Sequence, residues 1–259
     1  MSESSNIPPA FVSEVVYSLP YAGETVLDQS YGGTNQLFDV YYPEAGTKPF
    51  PVVLIVLGFP APGFAGGFGF KLKDSVFYRS WAMLLAASGM AAVLYSADDA
   101  EPNTLSLLGY LQEHNESLNL DMSKLGIWSC SANVPNAINV INKTDGIVCA
   151  SLNYGFMLDL DGSTVITDTA EQIKFADPNG GEESMLELDQ LITKAGQDAF
   201  PGINDSIDAY MSLAKARNLP VELIEYEAGV HSFDVLDDSA ESIAVVKRMV
   251  DFLKSKLID

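Results

Sequence analysis

From Pro51 to the carboxyl terminus, short apolar runs alternate with helical patterns. That alternation restricts the fold more than any other feature of the chain. The run PVVLIVLG (51–58) is apolar without a break, as a strand covered on both faces should be. A helical pattern over 75–88 precedes MAAVLYS (90–96), and a second over 103–116 precedes KLGIWSC (124–130). A third helix after Ser131 leads to GIVCASLNY (146–154). QLITKAG (190–196), a helix near 204–217, VELIEYE (221–227) and a last amphipathic helix over 239–257 complete the series. Asp238 and Glu241 fit a cap pair at the start of that last helix. Strands alternating with helices predict an α/β fold, with a mostly parallel central sheet flanked by helices. In such sheets ligands bind beyond the carboxyl ends of the strands, so chemistry is sought in the residues just after each strand.

The segment before Pro51 reads differently. EVVYSL (14–19), ETVLDQSY (24–31) and QLFDVYYP (36–43), separated by Gly/Pro turns, predict antiparallel N-terminal strands. No repeat, linker or low-complexity tract divides the chain, so residues 1–259 read as a single domain. The formal net charge of -21 repels phosphate backbones and anionic lipid heads, which speaks against nucleic acid as a partner. The opening MSESSNIPPAF lacks a basic n-region and an apolar h-region, and no apolar stretch approaches the ~20 residues that span a bilayer. These features predict a cytoplasmic protein with no membrane partner. Oligomeric state is not legible. Cys130 and Cys149 fall in apolar runs and read as buried free thiols; with only two histidines besides, no metal site is expected.

KLGIWSC continues as Ser131-Ala132-Asn133-Val134-Pro135. A strand, a sharp turn at a serine and an immediate helix make a nucleophile elbow, and Pro135 suits a first helical turn. The elbow needs small residues two before and two after the serine, where glycine is usual. Here Ser129 and Asn133 stand there, and Asn133 is large for the place. His231, in AGVHSFD after a strand, is placed to act as the base that a serine needs. His114, in the helical stretch GYLQEHNES, reads as a solvated helix residue. Asp198, in AGQD after QLITKAG, would hold the imidazole in its working tautomer. Its rival Asp205, in INDS, sits where a helix cap belongs. The order Ser, Asp, His is the order this architecture uses. An oxyanion hole would combine the backbone amide of Ala132 with one from the loop after PVVLIVLG, that of Phe59.

These residues give the chain a resemblance to the α/β-hydrolases of the dienelactone-hydrolase and small-esterase type. It runs from about Phe38 to Leu257 and is carried by FDVYYPE, PVVLIVLGFP, KLGIWSCSAN, LLGYLQEH, LITKAGQD, INDSIDAY and AGVHSFDVLDD. The resemblance implies Ser131 as nucleophile, Asp198 as acid, His231 as base and no cofactor. It implies acyl transfer on a small-molecule carboxylic ester or lactone. The sequence departs from the family at Leu57, where histidine commonly precedes the oxyanion-loop glycine, and at Ser129 and Asn133. Those departures motivate an alternative, a catalytically weak or dead member that binds a small ligand or partner protein. Acyltransferase, thioesterase or peptidase chemistry on the same triad is a further alternative.

The pocket is less legible. Phe64, Phe68 and Phe70 either line it or pack a surface loop onto the core. Lys71 and Lys73 read as a solvated charge pair. Tyr154 and Met157 follow a strand and are candidates to face the site. Residues 156–187 are acid-rich with little periodicity, and a stretch of that length predicts a cap over the pocket.

Overall fold

The computed structural model describes residues 7–58, 69–157 and 188–259. Phe59, Phe64, Phe68 and residues 158–187 of the expected cap lie outside the described residues. The eight described strands form one sheet: β1 Thr25–Ser30, β2 Leu37–Tyr41, β3 Phe50–Ile55, β4 Ala91–Tyr95, β5 Leu120–Cys130, β6 Ile147–Asn153, β7 Asp189–Ala195 and β8 Val221–Tyr226. Their order is β1-β2-β4-β3-β5-β6-β7-β8. The first two pairings, β1 with β2 and β2 with β4, are antiparallel, and β3 to β8 run parallel. The mostly parallel sheet with antiparallel N-terminal strands is therefore present.

The parallel strands are buried because helices cover both faces. Val52 to Ile55 and all of β4 have 5% or less of their surface exposed. The covering helices include α2 Val76–Ala87, α3 Ala100–Glu113, α4 Val134–Lys143, α5 Ile203–Arg217 and α7 Ala240–Leu257. Helix α2 turns Phe77, Tyr78, Trp81, Leu84 and Leu85 inward, and the Ser75 hydroxyl caps it by accepting the Tyr78 N–H at 3.3 Å. Helix α7 buries Val245, Val246, Met249, Val250, Leu253 and Leu257. Among the described residues no helix is long and apolar enough to cross a membrane.

Several local expectations need correction. EVVYSL is not a strand. A short helix, α1 Pro9–Val12, precedes it, and the Val15 and Val16 amides go to the Ser80 hydroxyl and the Asp234 carbonyl rather than to a neighbouring strand. Helix α3 begins at Ala100 rather than 103, because the Asn103 side chain ties down the Asp98 and Asp99 amides ahead of it. The cap of α7 is Ser239, whose hydroxyl accepts the Ser242 N–H, not Asp238. Lys73 is no solvated charge. Its side chain is 1% exposed and its ammonium bonds to Asp39, Asp28 and Asp74. Burial opposes the charge, but hydrogen bonds to the carboxylates of Asp28 and Asp39 outweigh it and raise the Lys73 pKa.

Candidate active site

Strand β5 ends at Cys130, and Ser131 opens a single 3₁₀ turn, Ser131–Asn133, that runs directly into α4. Ser131 has φ +56°, in the left-handed region that costs an L-residue about 1–2 kcal/mol. The turn stands the serine up from the sheet. The close approach expected here is supplied by a glycine the sequence reading did not flag. A Cβ on Gly155, just past β6, would lie 2.4 Å from the Ser131 carbonyl oxygen. Both cysteines are buried and free, on the adjacent strands β5 and β6. Burial pushes both thiols well up, the opposite of what a thiolate nucleophile needs.

Ser131, His231 and Asp198 come together, although they lie on three separate loops. The Ser131 Oγ is 2.7 Å from His231 Nε2, and His231 Nδ1 is 2.7 Å from Asp198 Oδ2. A carboxylate can only accept, so Nδ1 carries the ring proton and the Nε2 lone pair faces the Ser131 hydroxyl. The Asp198 side chain is 1% exposed and that of His231 16%. Asp198 also accepts the Phe200 N–H at 2.9 Å. The imidazole sits between the edges of Tyr154 and Phe200, at centroid distances of 5.2 and 4.5 Å. The loops carrying acid and histidine are laced by backbone: Gly196 donates to the Tyr226 carbonyl and Gln197 to the Gly229 carbonyl, both at 2.8 Å.

Other candidates fall elsewhere. Asp205 is exposed in the first turn of α5, and Gly202 rather than Asp205 occupies the cap. His114 is half-buried just beyond α3, against the Tyr110 ring. Ala132 lines the cavity described below, and its amide belongs to the leading N–H groups of the 3₁₀ turn, which have no partner within it. Tyr154 is fully buried beneath His231, and its hydroxyl donates to Asp234 Oδ1 at 2.7 Å. Met157 is buried, with its amide on the Ser206 hydroxyl. Neither Tyr154 nor Met157 is among the described residues of the cavity wall.

That cavity, of about 540 Å³, opens on Ser131 and His231. Its wall includes Phe11, Leu72, Phe77, Phe156, Phe200 and Ile203. Among the described wall residues there is no Lys, Arg, Asp or Glu. The α1 segment supplies Pro8, Ala10 and Phe11, a contribution that local patterning at the N-terminus did not reveal.

Two sets of polar residues were also missed. Asp234 is fully buried three residues after His231, and accepts from Tyr154 and from Trp81 Nε1 at 2.8 Å. Burial pushes its pKa up to about 6, against the lowering effect of those two donors. Asn133, Asn136 and Asn139 are buried on α4 or its approach. Their signal is visible in NVPNAIN, as asparagine at every third position of an otherwise apolar helix.

No protein-family model and no curated relative matches the sequence. Solved structures do match in fold. A bacterial heroin esterase superposes with a TM-score of 0.65 at 15% identity, covering 94% of this chain and 88% of its own. Carboxyl esterase 2 from the mycorrhizal fungus Tuber melanosporum gives 0.67 at 17% identity, covering 92% and 86%. Esterase LipW from Mycobacterium marinum gives 0.66 at 14% identity, covering 92% and 83%. The chain has the α/β-hydrolase fold.

Proposed function

We propose that the protein is a serine hydrolase that cleaves carboxylic esters or lactones through an acyl-enzyme. The observation that carries this reading is the unbroken hydrogen-bonded chain Ser131–His231–Asp198 facing a cavity whose described wall is mostly apolar and carries no Lys, Arg, Asp or Glu. The structural neighbours named above are esterases, which supports it by analogy of fold. His231 Nε2 takes the Ser131 proton as Oγ bonds to the substrate carbonyl carbon. The carbonyl electrons move onto oxygen, where the amides of Ala132 and Phe59 receive the charge. The C–O bond then breaks, and the alcohol leaves with the proton from His231. Water, deprotonated by the same imidazole, releases the acyl group and restores Ser131. Asp198 stabilises the imidazolium formed at each stage. The steps need no metal or organic cofactor. The absence of Lys, Arg, Asp and Glu from the described wall favours a neutral acyl group over a charged one.

The test pairs labelling with turnover. A fluorophosphonate should label the wild type and not Ser131→Ala, and that variant should lose hydrolysis of an activated aryl ester while remaining folded. Retention of more than about a tenth of wild-type turnover would remove Ser131 from the role. Cys130→Ala should stay active, because its thiol is buried below the turn.

A further inference from the structure

We propose that Ser129 and Asn133, the two residues standing where an elbow of this kind usually carries glycine, are positioning residues that hold the loop after β3 in its working place. The proposal rests on the serine-hydrolase reading above.

The ladder of β3 runs out at Ile55, its last partner being Trp128. The next three residues leave the sheet while still buried or nearly so, and their polar groups need partners. Val56 donates to the Trp128 carbonyl at 2.9 Å, and its own carbonyl accepts the Ser129 hydroxyl at 3.1 Å. The Leu57 carbonyl accepts Asn136 Nδ2 at 2.7 Å and the Tyr95 hydroxyl at 3.2 Å. The Gly58 amide donates to Asn133 Oδ1 at 2.7 Å. Asn133 is itself locked, since its Nδ2 donates to the Tyr78 hydroxyl at 2.6 Å and the Cys130 carbonyl at 3.2 Å.

Both departures from glycine therefore end on the same three-residue loop, one on a carbonyl and one on an amide. Glycine at 129 and 133 would leave the Val56 carbonyl without that hydroxyl and the Gly58 N–H without its acceptor. The Gly58 amide is thereby committed to Asn133 and cannot serve a substrate oxygen. That bond fixes Gly58, the last described residue of the loop, in place. The close packing that glycine usually permits at the elbow is met instead by Gly155. The same residues that suggest a dead elbow thus form a brace for the oxyanion side of the site. A brace of this kind acts on the transition state more than on substrate binding, because the oxyanion exists only there.

The test reverts the brace. Asn133→Gly should lower kcat on an aryl ester at least about tenfold and leave KM within about threefold, as loss of transition-state alignment does. Hydrogen exchange at the Gly58 amide should quicken at least about tenfold, because its protecting acceptor is gone. Ser129→Gly should show the same pattern more weakly. Asn133→Ala, which removes the same acceptor without adding backbone freedom, should match Asn133→Gly in both kcat and Gly58 exchange. If Asn133→Gly does not fold, the comparison of Asn133→Ala and Ser129→Gly with wild type decides by the same readouts. Turnover at or above wild type with unchanged Gly58 exchange in the glycine variants overturns the proposal. A loss carried by KM alone overturns it as well. A wild type that neither turns over esters nor is labelled at Ser131 defeats the hydrolase reading instead, and the exchange measurement still judges the brace.

Discussion

The two halves of the site are held in different ways. On the acid–histidine side, the loops after β7 and β8 are bonded backbone to backbone, through Gly196, Gln197, Tyr226 and Gly229. On the nucleophile side, the loop after β3 keeps one backbone bond, from Val56 to the Trp128 carbonyl, and otherwise hangs on the side chains of Ser129, Asn133, Asn136 and Tyr95. The geometry follows from strand spacing. β7 and β8 stay paired to Ala195 and Tyr226, so their loops leave together and can lace. β3 ends at Ile55, opposite Trp128, while β5 runs on beside β6 to Cys130, and side chains bridge the gap that opens. Backbone lacing depends on close approach rather than on side-chain chemistry, since a Cβ on Gly196 would meet the Glu227 carbonyl and one on Gly229 the Tyr226 ring, whereas a side-chain brace is lost with the side chain that makes it. The histidine side has one comparable anchor, Asp234, which ties α6 (Phe233–Leu236) to Trp81 and Tyr154.

The largest effect should come from the acid itself. Asp198→Asn should lower kcat by about 10⁴-fold on an aryl ester with little loss of stability, because the imidazole loses its tautomer and its counter-charge. Asp205→Asn should be near wild type. The reverse outcome would move the acid to Asp205 and dissolve the distinction between the two sides.

A smaller effect is expected at Asp234. Its carboxyl holds a proton more tightly in the folded chain, at about 6 against the usual 3.8, because burial disfavours its charge. Between those values the folded state binds more protons than the unfolded one, so this group's contribution favours folding below pH 3.8 and is lost as pH rises to about 6. The shift corresponds to a difference on the order of 3 kcal/mol. Urea unfolding of wild type and Asp234→Asn at pH 4 and pH 7 should diverge in that sense, the variant lacking the decline. Parallel pH profiles would show that the Asp234 carboxyl binds its proton equally well in the folded and unfolded chain.

Asn136→Ala should cost about 1 kcal/mol. The Leu57 carbonyl loses its shortest partner, but Asn136 Oδ1, which has no partner among the described residues, ceases to be buried unpaired. The smallest effect belongs to Gln197→Ala, about 0.5 kcal/mol with unchanged kcat, since it loses only the exposed bond from Nε2 to the Glu227 carbonyl at 3.1 Å and keeps the amide that bonds Gly229. A Gln197 loss equal to that at Asn136, measured by thermal unfolding and turnover, would break the contrast between the two halves.

Local patterning placed most elements from Phe50 onward within a few residues, because a strand buried on both faces and an amphipathic helix each write their environment into their own spacing. It failed at EVVYSL, where the buried Val15 and its neighbours mimic a strand but bond to a side chain of α2 and to the backbone of α6. It failed at Lys73, where sequence shows a charge and only the fold shows the carboxylates gathered round it. Ser131, Asp198 and His231 were each legible as polar residues following a strand. Tyr154 and Met157 were legible in the same way, yet they sit beneath the cavity or away from its described wall.

The sequence by itself determined the α/β alternation, the order of the parallel segments and the position of the serine, aspartate and histidine after their strands. These depend on residues within one turn or one strand of each other, where period and chain direction decide. Only the tertiary structure decided that the three side chains meet at 2.7 Å, that Asn133 and Ser129 reach back to a loop some 70 residues earlier, and that residues 8–11 wall the cavity. Such contacts are set by sheet order and by which donors remain unpaired once the strands have parted, and neither is encoded in local periodicity.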